Sequence, residues 1–203
     1  ISDIRSGLLE LMQKNLAAVD VWMEKKYKGY TFLNKNKRRI LYENQKKIVE
    51  KFALFCESTH LDLDQLRALT NDLGVKVLPV YEEKLLYLFQ IMLFLKPGKY
   101  YNYVEYSSFW KLLADLDAEK MEGDCNQIVT FYIYFYSLKY PIEELNIKLL
   151  PEHVCLHFKG LDIEATNASF QNYKDDTQIL PVTEIISTNL LDIIDEREET
   201  MQI

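Results

Sequence analysis

The chain has 203 residues, 48% of them hydrophobic and 13% aromatic, and a formal net charge of −7. That length and apolar content suffice for one sizeable core with a helical extension. The acidic balance excludes sequence-independent nucleic-acid binding, which needs a basic face, so no nucleic-acid partner is expected.

Ile4, Leu8, Leu9, Met12, Leu16, Val19 and Met23 recur at three- and four-residue steps and predict a first helix. The basic cluster Lys35-Asn36-Lys37-Arg38-Arg39 reads as the solvated start of a second, whose apolar stripe is Ile40, Leu41, Ile48, Phe52, Phe55 and Cys56. Leu61 to Leu73 is a short third helix, and Gly74 suits its left-handed end. Pro79 fits the first turn of a fourth, which runs to Leu95 and stops before Pro97-Gly98. Asn102 is the expected cap of a fifth helix reaching Ala118, with Phe109, Trp110, Leu112, Leu113 and Leu116 inside, and Glu119 to Gly123 is a polar loop. Asp124 then caps a helix that opens with Cys125 and extends to about Lys139.

Past Pro141 the apolar period falls from 3.6 to two. Leu145, Ile147 and Leu149 alternate with polar residues on one strand; Val154, Leu156 and Phe158 alternate with His153, Cys155 and His157 on the next. Lys159-Gly160 reads as a two-residue turn into a third strand, where Leu161, Ile163 and Ala165 alternate with Asp162, Glu164 and Thr166. In that register His157 faces Asp162, Cys155 faces Glu164, and Glu164 lies diagonal to both His153 and His157. Asn167 to Asp176 is expected to be a polar loop. Pro181 to about Asp195 is the last helix, with an acidic tail to Glu199. The fold class is therefore α+β, with a mainly helical N-terminal region over residues 1–97 and a core with a C-terminal helix over residues 98–203.

Three cysteines give no disulfide framework, so reduced thiols and a cytoplasmic location are expected. The chain opens on Ile1 rather than Met and carries no signal-peptide pattern. Its most apolar stretches, Leu85 to Leu95 and Ile128 to Leu138, fall well short of the roughly 20 residues that span a bilayer, so no membrane partner is expected either.

One constellation carries chemistry. A helix N-terminus favours negative charge and so a thiolate, which places Cys125 well for nucleophilic attack. A neighbouring imidazole can take and return a proton, and a carboxylate can fix the imidazole tautomer. The hairpin offers His153 and His157 on one strand face and Asp162 and Glu164 on the same face of its partner. His157 is expected to be satisfied by Asp162 beside it, and Cys155 and Cys56 to be packing residues. Zinc is disfavoured, because same-face residues on one strand stand about 7 Å apart and converge poorly on one ion; no metal and no cofactor are expected.

Gly123-Asp124-Cys125, Glu152-His153-Val154 and Glu164-Ala165-Thr166, in that order, resemble the core pattern of the transglutaminase-like superfamily of papain-fold cysteine enzymes. That pattern is Gly-x-Cys opening a buried helix, Gly-His-hydrophobic on a strand, and Asp-Pro-Thr on the next. The helix-rich front half is similar to that of bacterial transglutaminase-like proteins. The resemblance covers residues 98–170. It departs at Glu164, where the family has Asp, at Ala165, where it has Pro, and at Cys155, where an aromatic often follows the His. The resemblance implies a papain/transglutaminase-like core with a Cys125–His153–Glu164 triad and a protein or peptide amide as substrate. It implies acyl transfer by hydrolysis or transamidation. The alternative is a degenerate scaffold that binds a protein partner through its N-terminal helices.

Overall fold

The computed structural model describes residues 2–116, 121–174 and 177–190. Helices and a small antiparallel sheet share one apolar core, an α+β arrangement. The helices are α1 (Ser2–Tyr27), α2 (Lys35–Ser58), α3 (Leu63–Asp72), α4 (Glu82–Phe94) and α5 (Cys125–Ser137).

α5 is the central element. Every residue from Gln127 to Tyr136 is buried, so this helix carries no solvent face and is apolar all round, as a core helix must be. Its aromatics interleave with those of α2 and α4: Phe135 lies 4.7 Å from Phe52 and 4.8 Å from Phe131, ring centre to ring centre. α1 packs along α5 and also ends it. Gln13 donates to the carbonyls of Ser137 and Tyr140 and accepts from the Ile142 N–H, so one side chain satisfies groups left open where the helix stops.

The apolar stripe of α1 is broken where the sequence pattern is continuous. Asn15 is non-helical (φ −166°, ψ 84°). Its side-chain oxygen accepts from the Ala18 N–H at 3.0 Å and from Gln45 at 2.8 Å. Asn15 thus caps the second half of α1 from within, a competition with helix that Asn side chains offer. α2 starts at the basic cluster, capped by Asn34, and Gly74 takes φ +69° after α3. A 3₁₀ turn at Pro79–Tyr81 leads into α4.

The fifth helix expected over Asn102–Ala118 is not formed in the described residues. Tyr101–Tyr103 is a strand, β1, paired in parallel with β2 (Met121–Gly123), and only Phe109–Leu112 makes a 3₁₀ turn. The aromatic run Tyr100 to Tyr103 prefers extended backbone; the apolar residues Phe109, Leu112 and Leu113 are buried without a helix. Ala118 and Glu119 lie outside the described residues, and Met121–Gly123 is strand rather than loop.

The main sheet holds β3 (Asn146–Leu150), β4 (His153–Phe158), β5 (Leu161–Glu164), β6 (Ser169–Gln171) and β7 (Gln178–Pro181) in the order β6-β5-β4-β3-β7, all antiparallel. Leu156 pairs with Ile163, His157 with Asp162 and Phe158 with Leu161, the register that a two-residue turn dictates. Lys159 and Gly160 both take positive φ (48° and 84°), as the favoured hairpin turn requires. β6 falls inside the stretch expected to be loop, and Pro181 ends a strand rather than starting a helix. The following helix occupies residues 184–190; its expected continuation to Asp195 and the acidic tail lie outside the described residues. Proline sits at the end of an edge strand, where its missing N–H costs no ladder bond.

Candidate functional site

Cys125 is the first residue of α5. The turn that presents it is held by a reciprocal cap. Asp124 Oδ1 accepts from the N–H groups of Asn126 (2.9 Å) and Gln127 (3.4 Å), while Gln127 Oε1 accepts from the Asp124 N–H at 2.8 Å. The same two side chains stitch in the preceding loop: Asp124 Oδ2 accepts from the Ser107 N–H, and Gln127 Nε2 donates to the Ser107 carbonyl. Asp124 is buried; that burial pushes its carboxyl above the usual range, against the hydrogen bonds that favour the charged form. The Cys125 N–H sits among the first helical donors that have no carbonyl within the helix, so it is available to an acceptor outside it.

Gly123 is glycine for a steric reason. A Cβ there would stand 2.9 Å from Ile128 Cδ1 and 3.2 Å from Leu112 Cδ2. β2 therefore runs flush against the first turn of α5, and this close approach delivers the chain to Asp124 and Cys125.

His153 opens β4 and Glu164 closes β5. His153 Nε2 lies 2.7 Å from Glu164 Oε2 and 2.9 Å from Oε1. Cys125 lies near enough to the imidazole to be the largest influence on its protonation. Those two partners, Cys125 first and Glu164 next, raise the His153 pKa from 6.5 to about 10 against the opposing effect of burial. Burial alone would push the Glu164 carboxyl up. The bond from His153, its charge, and the hydroxyls of Thr166 and Tyr173 outweigh that and hold it below its ordinary value.

The carboxylate is surrounded by donors. Thr166 Oγ1 donates to Oε1 at 3.0 Å and Tyr173 donates its hydroxyl to Oε2 at 3.1 Å. Tyr101, on β1 beside the Cys125 turn, donates its hydroxyl to the Ala165 carbonyl at 3.0 Å. That buried bond ties the cysteine side of the site to the strand carrying Glu164. Tyr103, opposite Gly123 in the β1–β2 pair, is partly exposed; burial, then the nearby Cys125, keeps its hydroxyl protonated.

A second polar group occupies the same sheet face. Asp162 accepts from His157 Nδ1 at 2.6 Å and from Lys148 Nζ at 2.8 Å, both buried. Asp162 therefore belongs to His157, and Glu164 to His153. Cys155 is fully buried between the two pairs; burial, then the charges of Asp162 and Glu164, push its thiol up. Cys56 is half-buried and shifted up chiefly by the same desolvation. Among the described residues no cluster of three or more His, Cys, Asp or Glu side chains is placed to hold a metal ion, and no helix is long and apolar enough to cross a membrane.

No protein-family model, no curated protein and no solved structure matches this chain. The site must be read from its own geometry.

That geometry brings Cys125, His153 and Glu164 together from three elements. Tyr173, Tyr101 and Lys148 were not singled out by sequence. The signal for Tyr173 was an aromatic in an otherwise polar stretch; for Lys148, a charge on a strand whose neighbours are apolar. Neither signal names its partner.

Proposed function

We propose that this chain is a cysteine-nucleophile acyl-transfer enzyme on a papain/transglutaminase-like core, acting on an amide or peptide bond by hydrolysis or transamidation. The observation that carries the reading is His153 beside two groups: Glu164 bonds its Nε2, and the thiol of a helix-opening cysteine lies near enough to govern its protonation. A proton-transfer histidine needs an orienting acceptor on one nitrogen and the reacting group on the other.

Two details support the family comparison. Glu152, at the position where the superfamily has glycine before the His, takes φ +54°, the conformation that glycine favours. Thr166 bonds the carboxylate two residues earlier, which gives the Thr of the Glu164-Ala165-Thr166 run a chemical purpose.

The chemistry runs in two halves. The Cys125 sulfur attacks the amide carbon, forming a C–S bond as the carbonyl π electrons move onto oxygen. The Cys125 N–H is placed to donate to that oxyanion. The tetrahedral species collapses, the C–N bond breaks, and His153 gives its proton to the departing amine. Water or a second amine then attacks the thioester, His153 takes the proton, and the thiolate leaves. Glu164 keeps the imidazole oriented and stabilises its charged form throughout.

The test is graded alkylation with iodoacetamide at neutral pH, read by peptide mass spectrometry. Cys125 is expected to label well before Cys56 and Cys155, whose thiols are pushed up by burial. Replacing His153 by Gln should bring the Cys125 rate down toward that of an ordinary thiol. Labelling of Cys125 only after unfolding would leave the degenerate scaffold as the correct reading.

A further inference from the structure

Tyr173 follows β6, and all three of its hydrogen-bonding groups are engaged on the polar face of the sheet. Its N–H donates to Asp162 Oδ2 at 2.7 Å. Its carbonyl accepts from Lys148 Nζ at 2.6 Å. Its hydroxyl donates to Glu164 Oε2 at 3.1 Å. The main chain at this residue is a strap pinned at two points, and both pins are rigid. Asp162 and Lys148 are buried and paired with each other, and the second Asp162 oxygen is taken by His157. From that fixed strap the side chain reaches Glu164, the same carboxylate that holds His153.

A glutamate has three rotatable bonds, and its last torsion is broad. A carboxylate with one partner can therefore turn about its own axis. Here donors arrive from β4 (His153), from the segment after β5 (Thr166) and from the strap (Tyr173). Each carboxylate oxygen thus meets His153 and one hydroxyl, Thr166 at Oε1 and Tyr173 at Oε2. Of the three, the phenol is carried by a main chain pinned to two further charged side chains, Asp162 and Lys148.

We propose that Tyr173 is a positioning residue of the site: through the strap pinned by Lys148 and Asp162, its hydroxyl fixes the carboxylate plane of Glu164 and thereby the imidazole of His153. The Lys148–Asp162–His157 network is the foundation of that strap rather than a second reactive centre. Burying an ion pair costs desolvation that its mutual attraction repays only with good geometry and further hydrogen bonds. Here the further bonds go to the main chain at Tyr173. The proposal rests on the acyl-transfer reading of Cys125, His153 and Glu164, but its decisive measurement does not depend on the reactivity of the thiol.

The experiment compares the parent chain with Tyr173→Phe, which removes one oxygen and leaves the ring and both main-chain bonds. The side-chain carboxyl of Glu164 is followed by carbon NMR as the pH is lowered. Loss of a donor to the charged form should move its titration midpoint up by about one pH unit. Cys125 alkylation at neutral pH should fall several-fold, with the melting midpoint close to that of the parent. A fluorinated tyrosine at position 173, a stronger donor of nearly the same shape, should move the Glu164 midpoint the other way, which keeps the test open even where the Phe variant folds poorly. An unchanged Glu164 midpoint in both variants would overturn the proposal. Should Cys125 prove unreactive in the parent, the acyl-transfer reading falls, while the Glu164 titration still decides what Tyr173 does.

Discussion

Glu164 meets His153 with both carboxylate oxygens and is itself nearly sealed from water. At that depth the partner's charge matters more than its shape. Glu164→Gln keeps a group that can accept a hydrogen bond but removes the charge that stabilises the imidazolium. The His153 pKa should then fall below about 10 by the share that Glu164 contributes beside Cys125. The expected outcome is a Cys125 alkylation rate lower by roughly 10²-fold at neutral pH, with a pH profile that differs from that of the parent. An equal rate and an equal pH profile in both would show that Glu164 is structural. Glu164 and Asp162 share one face of β5, and the register of the Lys159-Gly160 turn separates them already in the sequence. The sheet register hands Asp162 to His157, and the diagonal reach of Glu164 to His153 then follows.

The helix α5 is set at both ends by polar side chains, Asp124 and Gln127 at its start and Gln13 from α1 at its close. Its first turn is also closely packed against β2, since a Cβ on Gly123 would meet Ile128 and Leu112. Gly123→Ala should therefore destabilise the fold by about 1–3 kcal/mol, the usual cost of an added methyl group in a filled space. The measurement is the urea midpoint, read beside the Cys125 alkylation rate. Both should suffer, because the methyl group must displace the buried side chains of Ile128 and Leu112 or move β2 and the turn that carries the cysteine. A variant as stable as the parent would mean that Ile128 swings aside freely.

At the scale of the molecule, the His153–Glu164 pair links stability to pH. His153 is raised from 6.5 to about 10, so between those values the folded chain binds more protons than the unfolded one. Its contribution is full below about pH 6.5 and is lost as pH rises toward about 10. Glu164 is shifted down, so its contribution is present above the ordinary carboxylate range and is lost on acidification. His153→Gln retains a donor toward Glu164 and removes the titration. Melting midpoints of parent and variant should converge between neutral pH and about pH 10, the parent losing more. Parallel curves across that window would mean that the folded pKa of His153 is not raised.

Local pattern was enough to place the helix that begins at Cys125, the hairpin with its turn at Lys159-Gly160, and the face on which His153, His157, Asp162 and Glu164 meet. Each follows from short-range rules: a capping residue before an apolar run, a period of two, and a tight turn that admits one register. The same rules misplaced a helix over Asn102–Ala118, overlooked the break at Asn15, and left β6 as loop. β6 pairs with the adjacent β5 across a short connection whose polar residues read as loop; for β1 and Asn15 the deciding partner is distant in sequence, Met121–Gly123 and Gln45. The strap at Tyr173 is of the same kind. Its backbone bonds go to Asp162 and Lys148 and its hydroxyl to Glu164, on β5 and β3, and a polar segment acquires such bonds only once the sheet beneath it exists. The sequence by itself determined which chemical groups are present and on which strand or helix they ride. Tertiary structure decided which of them touch, because a hydrogen bond is made across a few ångströms of space whatever number of residues lies between its ends.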